Sequence, residues 1–214
     1  MCIAGATGDA GHFRVVAEQL SDDFQVVTYD RRGNSRSPRP TGWTATSADE
    51  QADDAAGLIE ALGIAPAAVL ANSGGSIIAI NLAMRYPDSL RGLIVNEPTL
   101  LGVLQDPESV FRLLQPVIQK AMESGAPRAA MEAFLGMVDV KKQDVEAVEP
   151  GLWARMLGNA TTFYELEFGP LEQYVPREQA LAAMNIPVMV VTGTHSAPFF
   201  ARSATGSPPV LGRR

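Results

Sequence analysis

Short apolar, β-branched segments alternate along this chain with segments whose apolar residues recur at helical spacing. That alternation constrains the fold more than any other feature. Residues 1–4, Phe24 to Tyr29, Ala67 to Ala71, Leu90 to Val95 and residues 187–192 read as strands. Residues 12–20, Ser47 to Leu62 and Ser73 to Tyr86 read as helices. Strands joined by intervening helices imply a mostly parallel sheet covered on both faces, an α/β fold. Local punctuation agrees. Ser47 is a plausible N-cap with Glu50 three residues on, and Gly63 is placed to stop that helix. Gly33, Pro38, Pro40 and Gly42 mark residues 30–46 as a loop.

No comparable strand occurs from about residue 99 to 182. Helical patterns, such as Val110 to Met122 and Arg128 to Val138, occupy that stretch. The expected organisation is therefore a core split between 1–98 and 183–214, with 99–182 inserted as a helical cap over one end of the sheet. Its apolar load (Phe111, Leu114, Phe134, Met137, Trp153, Met156, Phe163 and Phe168) suits either a cap lining a greasy pocket or ordinary helix packing.

Composition narrows the chemistry. The 214 residues, 46% hydrophobic and 19% charged, suit one globular domain with an insertion. A net charge of −7 argues against a broad grip on nucleic acid. One Cys, Cys2, excludes an internal disulfide framework and a thiolate-rich zinc site. Two isolated His and scattered carboxylates show no ligand spacing, so no metal or cofactor is expected. The segment Ala4-Gly5-Ala6-Thr7-Gly8 lacks the glycine pattern and acidic partner of a dinucleotide site. No apolar run reaches the roughly 18 residues of a membrane span, and no basic-then-apolar leader opens the chain. The expectation is a cytoplasmic protein.

The most informative segment is Val69-Leu70-Ala71-Asn72-Ser73-Gly74-Gly75-Ser76-Ile77-Ile78. An apolar strand runs into small residues around a Ser, then into an apolar helix. This matches the nucleophile elbow G-x-S-x-G, with Ala71 at the first Gly. Such a turn projects Ser73 Oγ at the C-terminal edge of the sheet, and puts the Gly74 amide at a helix start, where it can donate to an oxyanion. A plain Gly/Ser turn is the competing reading. Ser76 lies a turn inside the helix and is a poor nucleophile candidate.

With three further segments in order, the chain resembles the α/β-hydrolase fold family, in its serine hydrolase group with a helical cap. Ala4-Gly5-Ala6-Thr7-Gly8 resembles the family's oxyanion loop, with Ala4 at its His position. The resemblance implies that the Ala6 amide is the second oxyanion donor beside Gly74. Tyr29-Asp30-Arg31-Arg32-Gly33-Asn34-Ser35-Arg36-Ser37 resembles the family's D-x-R-G-x-G-x-S loop, read with Asn34 replacing the second Gly; its charged groups are expected to brace loops. Val95-Asn96-Glu97-Pro98 ends the strand after the elbow helix.

A Ser hydroxyl needs a base, usually His, and an acid to orient it. The family commonly places the acid after the strand at 187–192, and Ser196 stands there; the alternative placement falls on Glu97, the expected acid. The family's His follows the final strand, and no His stands there. His195 and His12 are the candidate substitutes. The chain opens inside what corresponds to the family's third strand, and its last 14 residues have no strand-like run. The resemblance therefore implies truncation at both ends, with impaired chemistry and self-association through an exposed sheet edge. The expected function is hydrolysis of a small or medium hydrophobic carboxylic ester. A non-catalytic remnant or binding module, and cofactor-free perhydrolysis or C–C hydrolysis on the same fold, are the alternatives.

Overall fold

Among the described residues, parallel pairing of four short strands sets the frame. A computed structural model describes residues 1–194 and 196, apart from 105, 107, 109–111, 113–114, 117–118, 120–122 and 124. Strands β1 (Cys2–Ile3), β2 (Ala67–Asn72), β3 (Leu90–Asn96) and β4 (Val188–Val191) pair in that order, all parallel. Leu70 lies opposite Cys2 on one side and Ile94 on the other, and Ile94 lies opposite Met189.

Helices fill the crossovers. A 3₁₀ turn, Ala10–Phe13, leads into α1 (Arg14–Leu20). Helix α2 (Ala48–Ala61) begins as its sequence dictates: the Ser47 side chain accepts from the Glu50 amide, and Gly63 follows at φ +63°. Helix α3 (Gly75–Arg85) is apolar nearly all round, and every residue from Gly75 to Ala83 is buried against the sheet and α2. Ile3, Ile59, Val69, Ile77, Leu82 and Val95 belong to this core.

The stretch from 99 to 182 is helical wherever it is described as regular. It holds α4 (Pro127–Met137), α5 (Lys142–Val148), α6 (Leu152–Gly158), α7 (Ala160–Thr162), α8 (Phe168–Glu172) and α9 (Glu178–Ala182). A π-helical turn, Phe163–Glu167, joins α7 to α8 without a break. The expected helix Val110 to Met122 lies largely outside the described residues. Met131, Leu135, Trp153, Met156 and Phe163 pack together as a second core, with Phe134 and Phe168 against it. Of the aromatic residues expected to line a pocket or pack between helices, Phe134, Phe163 and Phe168 pack on one another: Phe163 meets Phe168 edge-on at 5.5 Å, and Phe111 lies outside the described residues.

Three expectations need correction. Phe24 to Tyr29 is not a strand. It makes a single bridge, Thr28 with Cys2, beside one hydrogen bond from Cys2 N–H to the Val27 carbonyl. Its partner among the described residues, β1, is two residues long, so the β-branched run has no ladder there to extend. The elbow helix begins at Gly75 rather than Ser73, because Ser73 sits in the turn before it at φ +52°. Beyond Gly33 (φ +72°), the left-handed position in the arginine loop falls on Ser35 (φ +48°), not Asn34. Counting D-x-R-G-x-G-x-S from Asp30 puts its second Gly at Ser35.

Candidate active site

The paired stretch of β2 and β3 ends at Asn72 and Asn96, which lie opposite each other. Asn96 Nδ2 donates to Asn72 Oδ1 at 2.7 Å, tying the two strand ends together. One residue beyond each stand Ser73 and Glu97, and both are left-handed, at φ +52° and +51°. An L-residue adopts that conformation only at a cost, which fold contacts must outweigh. They do so here through the strand edges: Ser73 N–H donates to the Asn96 carbonyl at 2.9 Å, and Glu97 N–H to the Val191 carbonyl at 2.8 Å. The expected nucleophile and acid are therefore brought to adjacent strand ends.

Two glycines let the surrounding backbone close in. A Cβ on Gly5 would stand 2.5 Å from the Asn72 carbonyl oxygen, 2.7 Å from Ser73 Cβ and 3.1 Å from the Gly74 amide nitrogen. Only glycine allows the segment Ala4-Gly5-Ala6 to lie directly on the Ser73 turn. A Cβ on Gly75 would stand 2.5 Å from the Ile3 carbonyl oxygen, so α3 starts pressed against the end of β1. Gly5, which precedes Ala6 in the loop after β1, thus lies against the Ser73 turn, and Gly74 follows Ser73 at the α3 N-terminus. Ser76 is fully buried in α3, which removes it as a nucleophile candidate.

Glu97 is oriented by the segment in which the family commonly places its acid. Its Oε1 accepts from the Gly193 amide and from Ser196 Oγ, each at 2.5 Å. Its Oε2 is buried and, among the described residues, has no hydrogen-bond partner. The two family positions for the acid therefore converge on one carboxylate, with Ser196 as its donor. Sequence reading noted Ser196 as a replacement and missed it as a partner; its position three residues after Gly193 was the signal.

His12 lies in the 3₁₀ turn after the loop. Its Nδ1 is buried with no hydrogen-bond partner among the described residues, and burial holds the imidazole below its usual value, against a smaller opposing pull from Asp9. Among the described residues, no hydrogen bond joins His12 to Ser73 or Glu97. His195 lies outside the described residues.

The arginine loop braces its surroundings. Asp30 accepts from the amides of Ala10 and Arg36 and from the Arg36 guanidinium at 2.6 and 2.9 Å. Burial alone would raise the Asp30 carboxyl, but the bonds from Arg36 and Ala10 outweigh it and hold it below the usual range. Arg31 is buried and forms a two-pronged pair with the buried Glu167, at 2.5 and 3.0 Å. Glu167 was legible only in hindsight, as an acid set among Phe163, Tyr164, Leu166 and Phe168 that must find a cation.

The family model for the alpha/beta hydrolase fold matches residues 1–137. The chain belongs to the α/β-hydrolase fold family. It is 30% identical over 181 residues to the uncharacterized hydrolase YraK of Bacillus subtilis (strain 168), covering 85% of this chain and 64% of that one. The chain thus spans just under two thirds of that relative's length. A thermophilic esterase from Thermogutta terrifontis superposes with a TM-score of 0.74 at 20% identity, over 98% of this chain and 76% of that one. An alpha/beta hydrolase from Sphaerobacter thermophilus DSM 20745 gives 0.69 at 23%, over 98% and 80%. These solved structures share the fold, and relatives in sequence are hydrolases. Among the described residues, no helix is long and apolar enough to cross a membrane, and no group of three or more His, Cys, Asp or Glu could hold a metal ion.

Proposed function

We propose that this chain carries a serine hydrolase site for carboxylic esters with a small or medium hydrophobic group, with residues 99–182 as its cap. The left-handed Ser73 between β2 and α3 carries the reading, because a strained, small-residue turn at the C-terminal sheet edge exposes a hydroxyl for attack. In the proposed reaction Ser73 Oγ bonds to the ester carbonyl carbon, and the amides of Ala6 and Gly74 receive the developing oxyanion. Collapse expels the alcohol and leaves an acyl-enzyme, which water then cleaves. Glu97 orients the base through Oε2, while Gly193 and Ser196 hold its other oxygen. The proton from Ser73 needs an acceptor, and His12 and His195 are the imidazoles this chain supplies. The apolar side chains of the helical segment favour a hydrophobic acyl or alcohol group. A buried, free Cys2 agrees with a reducing, cytoplasmic setting.

A second reading has its own support. Among the described residues no hydrogen bond joins His12 to Ser73 or Glu97, and loss of one triad member leaves only roughly 10³–10⁴-fold catalysis over water. On that reading the chain is a non-catalytic binding module. A fluorophosphonate probe followed by peptide mapping separates the two. Labelling at Ser73 that is lost in Ser73→Ala supports the hydrolase. A folded wild-type chain that stays unlabelled, and is inert toward p-nitrophenyl esters, supports the binding module.

A further inference from the structure

The loop after β1 makes its nearest core contact at Gly5, on the Ser73 turn, and beyond that point the helical segment takes hold of it. Its own closure is a single turn bond, Gly8 N–H to the Gly5 carbonyl at 2.9 Å. The Ala6 carbonyl accepts from Arg31 Nη2, and that guanidinium is fixed by both oxygens of Glu167 in the π-helical turn. Asn34 Nδ2 adds a third donor to Glu167, at 3.0 Å. The Thr7 carbonyl accepts from Asn159 Nδ2 at 2.9 Å. Asn159 is itself locked by Ser35, whose amide donates to its Oδ1 at 2.7 Å. The Asp9 carboxylate accepts from Arg155 Nε on α6 at 2.5 Å. The side chain of Ala6 also packs against the second core.

Glu167 is fully buried and Asn159 is 4% exposed, so these bonds form where water does not compete. A carbonyl fixed at Ala6 and another at Thr7 restrict rotation of the peptide units that follow the Ala6 amide. That amide can then keep one direction through a reaction, which is what an oxyanion donor requires. A lid that merely covers a pocket would have no need to grip this loop.

We propose that Asn159 and Glu167 of the cap are positioning residues for the oxyanion loop, Glu167 acting through Arg31, so that the cap builds the oxyanion hole as well as roofing it. This rests on the reading of Ala6 and Gly74 as oxyanion donors. It also means that the Asn159–Glu167 portion of the cap stays seated on the core while substrate enters.

Two readouts test it on the full chain. Fluorophosphonate labelling is resolved into kinact and KI for wild type, Asn159→Leu, Glu167→Gln and Glu165→Ala. Glu165 lies on the same turn and pairs with Arg39 at 3.0 Å at the surface, away from the loop. The expected result is a kinact lowered about tenfold or more in Asn159→Leu and Glu167→Gln, with KI within about twofold and Glu165→Ala like wild type. Amide hydrogen exchange at residues 5–9 is measured in parallel and should quicken about tenfold or more in the same two variants. Arg31→Met combined with Glu167→Met leaves no unpaired buried charge, and it takes the place of Glu167→Gln if that variant does not fold. Folded Asn159→Leu and Arg31→Met/Glu167→Met chains with wild-type labelling and wild-type exchange would overturn the proposal. An unlabelled wild type would overturn the serine hydrolase reading instead. Exchange alone then decides whether the cap holds the loop: faster exchange supports the hold and unchanged exchange ends it.

Discussion

At Ser73 and Glu97 local preference and tertiary structure disagree, since each holds a positive φ that a strand end would not adopt unaided. Such conflicts mark places where a fold carries strain for use. At Ser73 the conflict is testable by direction. Ser73→Gly relieves the left-handed strain but adds unfolded-state entropy, so stability should stay level or rise by up to about 1 kcal/mol. Ser73→Val puts a β-branched residue there and should lose at least about 1 kcal/mol. Urea unfolding of both variants checks the opposite signs. His12 gives a pH prediction. Its folded pKa lies below the usual 6.5, so below that value the unfolded chain binds a proton that the folded chain does not. Stability from this group is full above about pH 6.5 and is lost as pH falls toward the folded pKa, at up to about 1.4 kcal/mol per pH unit. His12→Gln should flatten that acid limb in urea titrations between pH 7 and pH 5, and an unchanged slope would refute the assignment.

Among the elements, those with a repeating pattern and a local stop signal were legible. The α2 cap at Ser47, the stop at Gly63 and the breadth of α3 all follow from short-range rules. Ser47→Ala should therefore cost about 1 kcal/mol, measured by urea unfolding, because the Glu50 amide loses its acceptor. The Phe24 to Tyr29 segment was misread because strand status depends on a partner, and a two-residue neighbour leaves most of its backbone unpaired. The π-helical turn at Phe163–Glu167 has no sequence signature comparable to a cap or a Gly stop. Its consequence is visible only in three dimensions, where it brings Glu167 to Arg31 across 136 positions of chain.

At the scale of the whole molecule, the turn around Ser73 was readable because its constraints are local, whereas the ties that hold the loop opposite it span the chain. No periodicity could reveal Asn159 bonding to Thr7 or Glu167 bonding to Arg31. The sheet end has its own consequence. Strand β4 is one edge of the sheet among the described residues, and Met189 and Val191, at 59% and 39% exposure, continue an apolar strip from Ile94. Unpaired edge backbone beside apolar surface favours pairing with a second copy. Light scattering should show a mass that rises with concentration, and Met189→Lys should lower it; a constant monomer mass for wild type would refute this. The two cores meet along a polar seam, and its centre is the Arg31–Glu167 pair, where neither side chain is more than 2% exposed. A buried pair contributes little relative to an apolar match, but one partner left alone is costly. Glu167→Ala should therefore lose about 3–5 kcal/mol in urea unfolding, and Arg31→Met combined with Glu167→Met should recover most of it. If the seam is what couples the cores, Glu167→Ala also splits the transition. The Trp153 signal of the second core, read in a Trp43→Phe background, then moves to lower urea than the far-ultraviolet signal of the sheet and its helices.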